Sequence, residues 1–413
     1  MTLPNFQENL RKYAQLAIKY GLNVQPGQTV RISVEVDQAD LAVLLQEEAY
    51  LAGASRVPVE FGSEKVARVR LEHAPAEILD SPFSEWSIAK RDYYIDLKTS
   101  TLLVKSGDPS AFAGIPAERM LLGREHQIKF GEVSREAKRR NNTPWCIISA
   151  ASPAQAAKVF PELATEEEQV DALWDAIFKA TRVYEADPMA AWAEHLAFTN
   201  EKAKELTAAQ YDRLHYYSDV TDLTVGLAEN HVWAATAKNA YNGKQYIANM
   251  PSEEIWTAPD RHRIDGYLAS TKPLIYQGTI IEDMKFTFKD GNVVDYSATA
   301  GLDALEALLA TDEHAKSLGE AALVPDDSPI SNTGIVFFQT LFDENASCHF
   351  AFGNAYSDTV VGGDKMSKEE LLAAGLNQSA VHEDFMVGSP KLNIDAIAKD
   401  GTVTPLFRDG NWA

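Results

Sequence analysis

The hydrophobic period of this chain changes once along its length, and that change limits the folds open to it. Up to about residue 150, short runs of two-residue period alternate with longer runs repeating every three to four residues. Leu10, Tyr13, Ala14, Ala17 and Ile18 mark a first amphipathic helix, with Gly21 placed to close it. Gln28 to Val36 alternates strictly and reads as a strand; Asp37 can cap a helix over 39–51, and Gly53 ends it. Arg56 to Phe61, Tyr93 to Leu97, Leu102 to Lys105 and Trp145 to Ser149 are further predicted strands. Such alternation implies an open, mostly parallel α/β sheet with helices on both faces. Beyond about residue 210 the two-residue period takes over, as in Leu223, Val225 and Leu227, and Lys289-Asp290-Gly291-Asn292 reads as a hairpin turn. The expected class is therefore α/β: an N-terminal, mostly parallel α/β scaffold domain with a helical connector over 1–200, and a mixed, strand-rich α+β domain over 201–413.

A chain of 413 residues is too long for one ordinary core, which agrees with two domains. The net charge of −22 disfavours nucleic acid, which needs a basic stripe. Cys146 and Cys348 are the two cysteines, so no disulfide framework is expected. The first twenty residues mix acids, bases and apolar residues at helical spacing, without a signal-peptide core, and no run reaches membrane length. A cytoplasmic protein with no membrane partner is expected. No Gly-x-Gly-x-x-Gly or Gly-Lys-Ser/Thr follows a strand, so the first domain reads as a scaffold without a nucleotide.

The chemistry-bearing residues crowd into the stretch from Phe342 to Leu392. His382 and Asp384 lie on a predicted strand, where side chains two apart share a face. An imidazole and a carboxylate aimed at one point suit zinc or cobalt, although a surface hydrogen-bonded pair would look the same. Upstream, Asn249 to Ile255 runs from a strand into a proline-broken loop with the adjacent carboxylates Glu253 and Glu254, again residues that a surface loop can carry. Glu320 sits between small apolar residues, where a buried carboxylate needs a cation, either Arg/Lys or a metal. Trp174, Phe178, Trp192 and Phe198 suit a buried helical stripe or a dimer contact, and His195 among them reads as a packed histidine.

Asn249 to Glu254, Leu318-Gly319-Glu320, Phe342 through Glu344 to His349, Tyr356 and His382-Glu383-Asp384 occur in this order. Together they resemble the aminopeptidase S/aminopeptidase T family of metallopeptidases, also called thermophilic metalloproteases, and its streptococcal-type branch most of all. The opening from Lys12 to Gly27 is similar to the start of those enzymes too, so the resemblance spans essentially the whole chain. It implies two divalent ions per chain, zinc or cobalt with magnesium and manganese as further candidates. The implied ligands are Glu253, Glu320, His349, His382 and Asp384, with Glu344 and Tyr356 at or beside the metals. It also implies a homodimer acting on short peptides, with arginine and aromatic N-terminal residues among its substrates.

The residue types suit that chemistry on their own terms. Several acids offset the charge of two ions, and two imidazoles favour zinc or cobalt over magnesium. A carboxylate not spent on metal must take the proton from water and pass it to the leaving amine. Glu254 is the expected general base, and Tyr356 is expected to ligate a metal or stabilise the oxyanion. Another two-metal hydrolase, an amidase or phosphoesterase, is the rival enzyme. A binding protein with a structural ion is the rival from outside catalysis, and the shortage of cysteines counts against it.

Overall fold

The computed structural model describes residues 2–139, 142–277 and 279–413. They form two compact units, Met1–Ala191 with Ala237–Met250, and Trp192–Thr236 with Pro251–Ala413. The division falls inside a long helix, Pro188–Ala209. No helix of the described residues is long and apolar enough to cross a membrane.

In the first unit, β1 (Val30–Glu35), β2 (Val59–Gly62), β3 (Ser100–Lys105) and β4 (Trp145–Ser149) form a parallel sheet in the order β2-β1-β3-β4. Helices α1 (Phe6–Gln15) and α2 (Ala39–Leu51) belong to the same unit. Trp174 and Phe178 pack edge-on or tilted against Phe6 and Tyr13, making them core residues, whereas Phe198 of the second unit is exposed. One predicted strand is corrected: Tyr93 to Leu97 is the end of a helix, Glu85–Asp96. Its start is fixed by Ser84, whose hydroxyl accepts the Ser87 N–H at 3.2 Å, a local cap that outweighs the strand preference of Tyr93-Tyr94-Ile95.

The second unit is built on two antiparallel sheets. One has eight strands running from Asn292–Ser297 at one edge to Asn411–Trp412 at the other, and includes the hairpin Arg213–Tyr217/Asp222–Leu227. The other contains β5 (Ile255–Thr257), β6 (Leu318–Leu323), β7 (His349–Gly353) and β8 (His382–Met386), in the order β8-β7-β6-β5, with Ala234–Ala235 outside β5. Their common core is aromatic. Phe352 stacks on Phe385 at 4.6 Å between ring centres and meets Phe286 of the larger sheet at 5.0 Å, while Phe350 meets Tyr216 at 4.9 Å. Because side chains alternate along a strand, burying Phe350 and Phe352 sends His349 and Ala351 to the opposite face of β7. That opposite face holds the site.

Candidate active site

Strand register brings the acids and imidazoles together. Glu320 on β6 lies opposite Ala351 on β7, which lies opposite Asp384 on β8, and His382 pairs with Gly353. Only a methyl group and a glycine separate the polar side chains along this line, leaving room between them. Glu320 and His349 are buried, and His382 and Asp384 are half-buried.

Two groups of donors result, and they share Glu320. Glu254, Glu320 and His349 form one, and Glu320, His382 and Asp384 the other, each with its ligand atoms within 4.8 Å of one another. Glu320 Oε1 is 3.6 Å from His349 Nε2, and its Oε2 is 3.7 Å from His382 Nε2. Glu254 Oε2 lies 3.2 Å from His349 Nε2, and Asp384 Oδ1 lies 3.7 Å from His382 Nε2.

Both histidines are held in the form that a cation needs. His349 Nδ1 faces the Ser347 carbonyl at 3.0 Å and His382 Nδ1 faces the Asn354 carbonyl at 2.7 Å. A carbonyl can only accept, so each Nδ1 carries the hydrogen and donates, which leaves each Nε2 turned to the carboxylates. His349 Nε2 and Asp384 Oδ1 are buried without a hydrogen-bond partner of acceptable geometry, a costly arrangement for a pure protein site. Two donors each roughly 2.0–2.2 Å from one ion stand about 3.3–3.6 Å apart, close to the separations seen here. The donor set therefore fits divalent metal.

The electrostatics say the same. Burial, with the nearby Asp384 and Glu254 carboxylates, pushes the Glu320 carboxyl up despite the opposing His349 and His382. Burial would lower the His349 imidazole, but Glu254 and Glu320 overturn this and raise it well above its ordinary value; Asp384 and Glu320 likewise raise His382.

The two adjacent glutamates, expected as ligand (Glu253) and general base (Glu254), are placed differently by the fold. Ile255 at the start of β5 points into the aromatic core, so Glu254 falls on the opposite face beside His349. Glu253 is outside both donor groups; its Oε2 is 3.5 Å from His195 Nε2. Glu344 is buried and also outside them; burial, with Asp384 and Glu254, pushes its carboxyl well up, and its Oε1 accepts from Asn345 Nδ2 at 3.2 Å. Tyr356 keeps 37% of its surface exposed, its ring meeting His382 edge-on at 4.8 Å. Burial and the surrounding Glu320, Asp384 and Glu254 push its phenol well up.

Two supporting residues, Asn345 and Asn354, escaped the sequence reading. The fully buried Asn345 accepts the Glu253 N–H through Oδ1 at 2.8 Å and donates through Nδ2 to the Leu341 carbonyl at 3.0 Å and to Glu344 Oε1 at 3.2 Å. His195 is the satisfied, packed histidine expected: its ring meets Trp192 edge-on at 5.6 Å and its Nε2 donates to the Ser252 carbonyl at 2.8 Å. Asn354 acts through a backbone carbonyl, which leaves no mark on residue type.

A buried donor set of several carboxylates and two imidazoles sharing one glutamate, on the polar face of an antiparallel sheet, is the construction of a metallohydrolase. Residues 6–412 match the family model described as thermophilic metalloprotease (M29), and the chain belongs to that family. Aminopeptidase PepS of Streptococcus thermophilus is 47% identical over the whole of both chains, and aminopeptidase AmpS of Bacillus subtilis is 42% identical over the same share. The solved wild-type AmpT from Thermus thermophilus superposes with a TM-score of 0.92 at 41% identity, covering 99% of this chain and 100% of its own. The protein is thus a metallo-aminopeptidase by family, and its fold is the one expected from the sequence: a parallel α/β sheet followed by antiparallel, strand-rich structure.

Proposed function

We propose that this aminopeptidase works with two divalent ions, one held by Glu254, Glu320 and His349 and the other by Glu320, His382 and Asp384. The observation that carries the reading is Glu320, whose two oxygens face different histidines and so suit a bridging carboxylate. Two imidazoles in the set favour zinc or cobalt. Ions so held supply Lewis-acid polarisation of the scissile carbonyl and lower the pKa of water.

The chain's own residues do the rest. Glu344, buried and outside both donor groups, is the proposed proton carrier in place of Glu254. It takes the proton from water and returns it to the leaving amine. Tyr356 keeps its phenolic hydrogen and donates to the developing oxyanion. The surplus of acids suits a free α-ammonium and a basic first residue, and the resemblance to the aminopeptidase S/aminopeptidase T family adds aromatic ones, so short peptides with arginine or aromatic N-terminal residues are the proposed substrates. A homodimer and a cytoplasmic location complete the reading, the latter supported by two buried, unpaired thiols.

The test is hydrolysis of Arg-p-nitroanilide by protein as purified, stripped with chelator, and refilled with zinc or cobalt, alongside metal analysis. Two ions per chain and activity that follows them support the reading. Two ions with cleavage of p-nitrophenyl phosphate but of no unblocked amino-acid anilide would transfer it to another hydrolase.

A further inference from the structure

The carbonyl that orients His382 belongs to a turn gripped from two sides by residues with no assigned role. Asn377 is fully buried, and its side-chain Nδ2 donates to the carbonyls of Gly353 at 2.7 Å, His314 at 2.8 Å and Ser317 at 3.2 Å. Those carbonyls lie at or just before the ends of β6 and β7, so one amide ties the two strands together where the 353–355 turn begins. The backbone completes the grip: Ala355 N–H donates to the Asn377 carbonyl at 2.8 Å, and Asn354 N–H to the Val381 carbonyl at 2.7 Å. Three acceptors around Nδ2 fix which way the amide points, because its oxygen there would oppose three other oxygens.

On the other side is Gly319, the residue before Glu320. A Cβ at Gly319 would stand 2.4 Å from the Asn354 carbonyl oxygen and 2.5 Å from that of Gly353, so only glycine lets this turn close on β6. The turn itself needs glycine at 353, where φ is +90°. None of these contacts reaches the Ser347 carbonyl, which holds His349 independently.

We propose that Asn377 and Gly319 are positioning residues that clamp the Asn354 carbonyl, fixing the His382 imidazole and with it one ion of the pair. The ion part rests on the two-ion reading above; the imidazole part does not. The clamp keeps hydrogen on His382 Nδ1 and aims Nε2 at Glu320 and Asp384. Loss of such a partner to a ligating histidine typically weakens metal binding about 10–100-fold.

The experiment uses full-length, metal-free protein with 15N-labelled histidine, as wild type and as Asn377→Ala and Gly319→Ala. In the wild type, both His349 and His382 should give protected Nδ1–H signals. Each variant should lose or broaden the His382 signal while keeping that of His349, which doubles as the check on folding. An unchanged His382 signal in both variants, or loss of both signals in both, overturns the clamp. Titration of Asn377→Ala with zinc then reads the second part: one ion should bind about 10–100-fold more weakly and the other as in wild type. Equal weakening of both ions, or of neither, overturns the selectivity. A wild type binding fewer than two ions sinks the two-ion reading, while the clamp has already been decided by the imidazole signals.

Discussion

Glu253 and Glu254 show what a single residue decides. Nothing in the pair itself tells which one faces His349; the difference lies in Ile255, whose burial in the core turns Glu254 toward that imidazole. Glu254→Gln should therefore weaken metal binding and abolish peptide hydrolysis, whereas Glu253→Gln should leave metal content intact; isothermal titration on both variants checks this, and the reverse result would restore the original assignment. Glu320, His349, His382 and Asp384 were reached in the sequence through the resemblance to the aminopeptidase S/aminopeptidase T family, and the fold brings them within reach of one another. The parts of Asn345 and Asn354 were not legible there, since they act through an amide and a backbone carbonyl that any core might contain. The raised titrations give a second expectation. An imidazole raised in the folded state stabilises the metal-free fold fully below about pH 6.5, and that contribution fades as pH rises through the raised value. Burial and the neighbouring acids raise Glu320 and Glu344, which act in the same sense: their protonated forms favour the fold at low pH, and this is lost on going alkaline. The melting temperature of metal-free protein should thus fall between pH 6 and pH 9, while metal-loaded protein should change less. Parallel curves for the two forms would uncouple the cluster from folding.

At the scale of the element, the site depends on register more than on any one side chain. Glu320, Ala351 and Asp384 stand in line across three strands, and the small middle residue leaves the gap in which two carboxylates converge. Ala351→Leu should cost about 1–3 kcal/mol by overpacking and displace the carboxylates, lowering metal content in protein that still folds. Unchanged metal binding in that variant would show that the gap is not needed. Strands and helices of strong period were readable from the sequence, and so was the passage from parallel α/β to antiparallel structure. The Tyr93 to Leu97 segment was not, because a β-prone run was absorbed into a helix begun nine residues earlier by the Ser84 cap. Pairing partners were also out of reach: that β6 lies between β5 and β7 follows from long-range packing of the phenylalanine core, which no local pattern encodes.

The whole molecule carries a net charge of −22, and its field acts on substrates before any contact is made. Peptides with a cationic N-terminal residue should be drawn in, and salt should weaken the attraction as the screening length shortens to about 8 Å at physiological ionic strength. KM for Arg-p-nitroanilide should rise several-fold between low and physiological salt, with a smaller change for a neutral anilide. Equal responses would place any arginine preference in local contacts instead. Full-length likeness to PepS and AmpT shows that the whole chain, first unit included, is shared with these aminopeptidases.

Cys348 and His349 are neighbours in sequence and strangers in chemistry. The thiol, pushed up to about 12 mainly by burial, donates to the Val324 carbonyl at 3.2 Å within the core, while the imidazole looks out on the carboxylates. The strand between them acts as a partition, with the soft donor on one side and the harder ones on the other. A slip of one residue in β7 would exchange them, offering an ion a thiolate in place of an imidazole and driving the histidine into the hydrocarbon core. An oxidation-prone centre of different metal taste would then stand where a hydrolytic one is built. What protects this enzyme from that fate is the pair Phe350 and Phe352, whose hold on the core keeps the strand in phase.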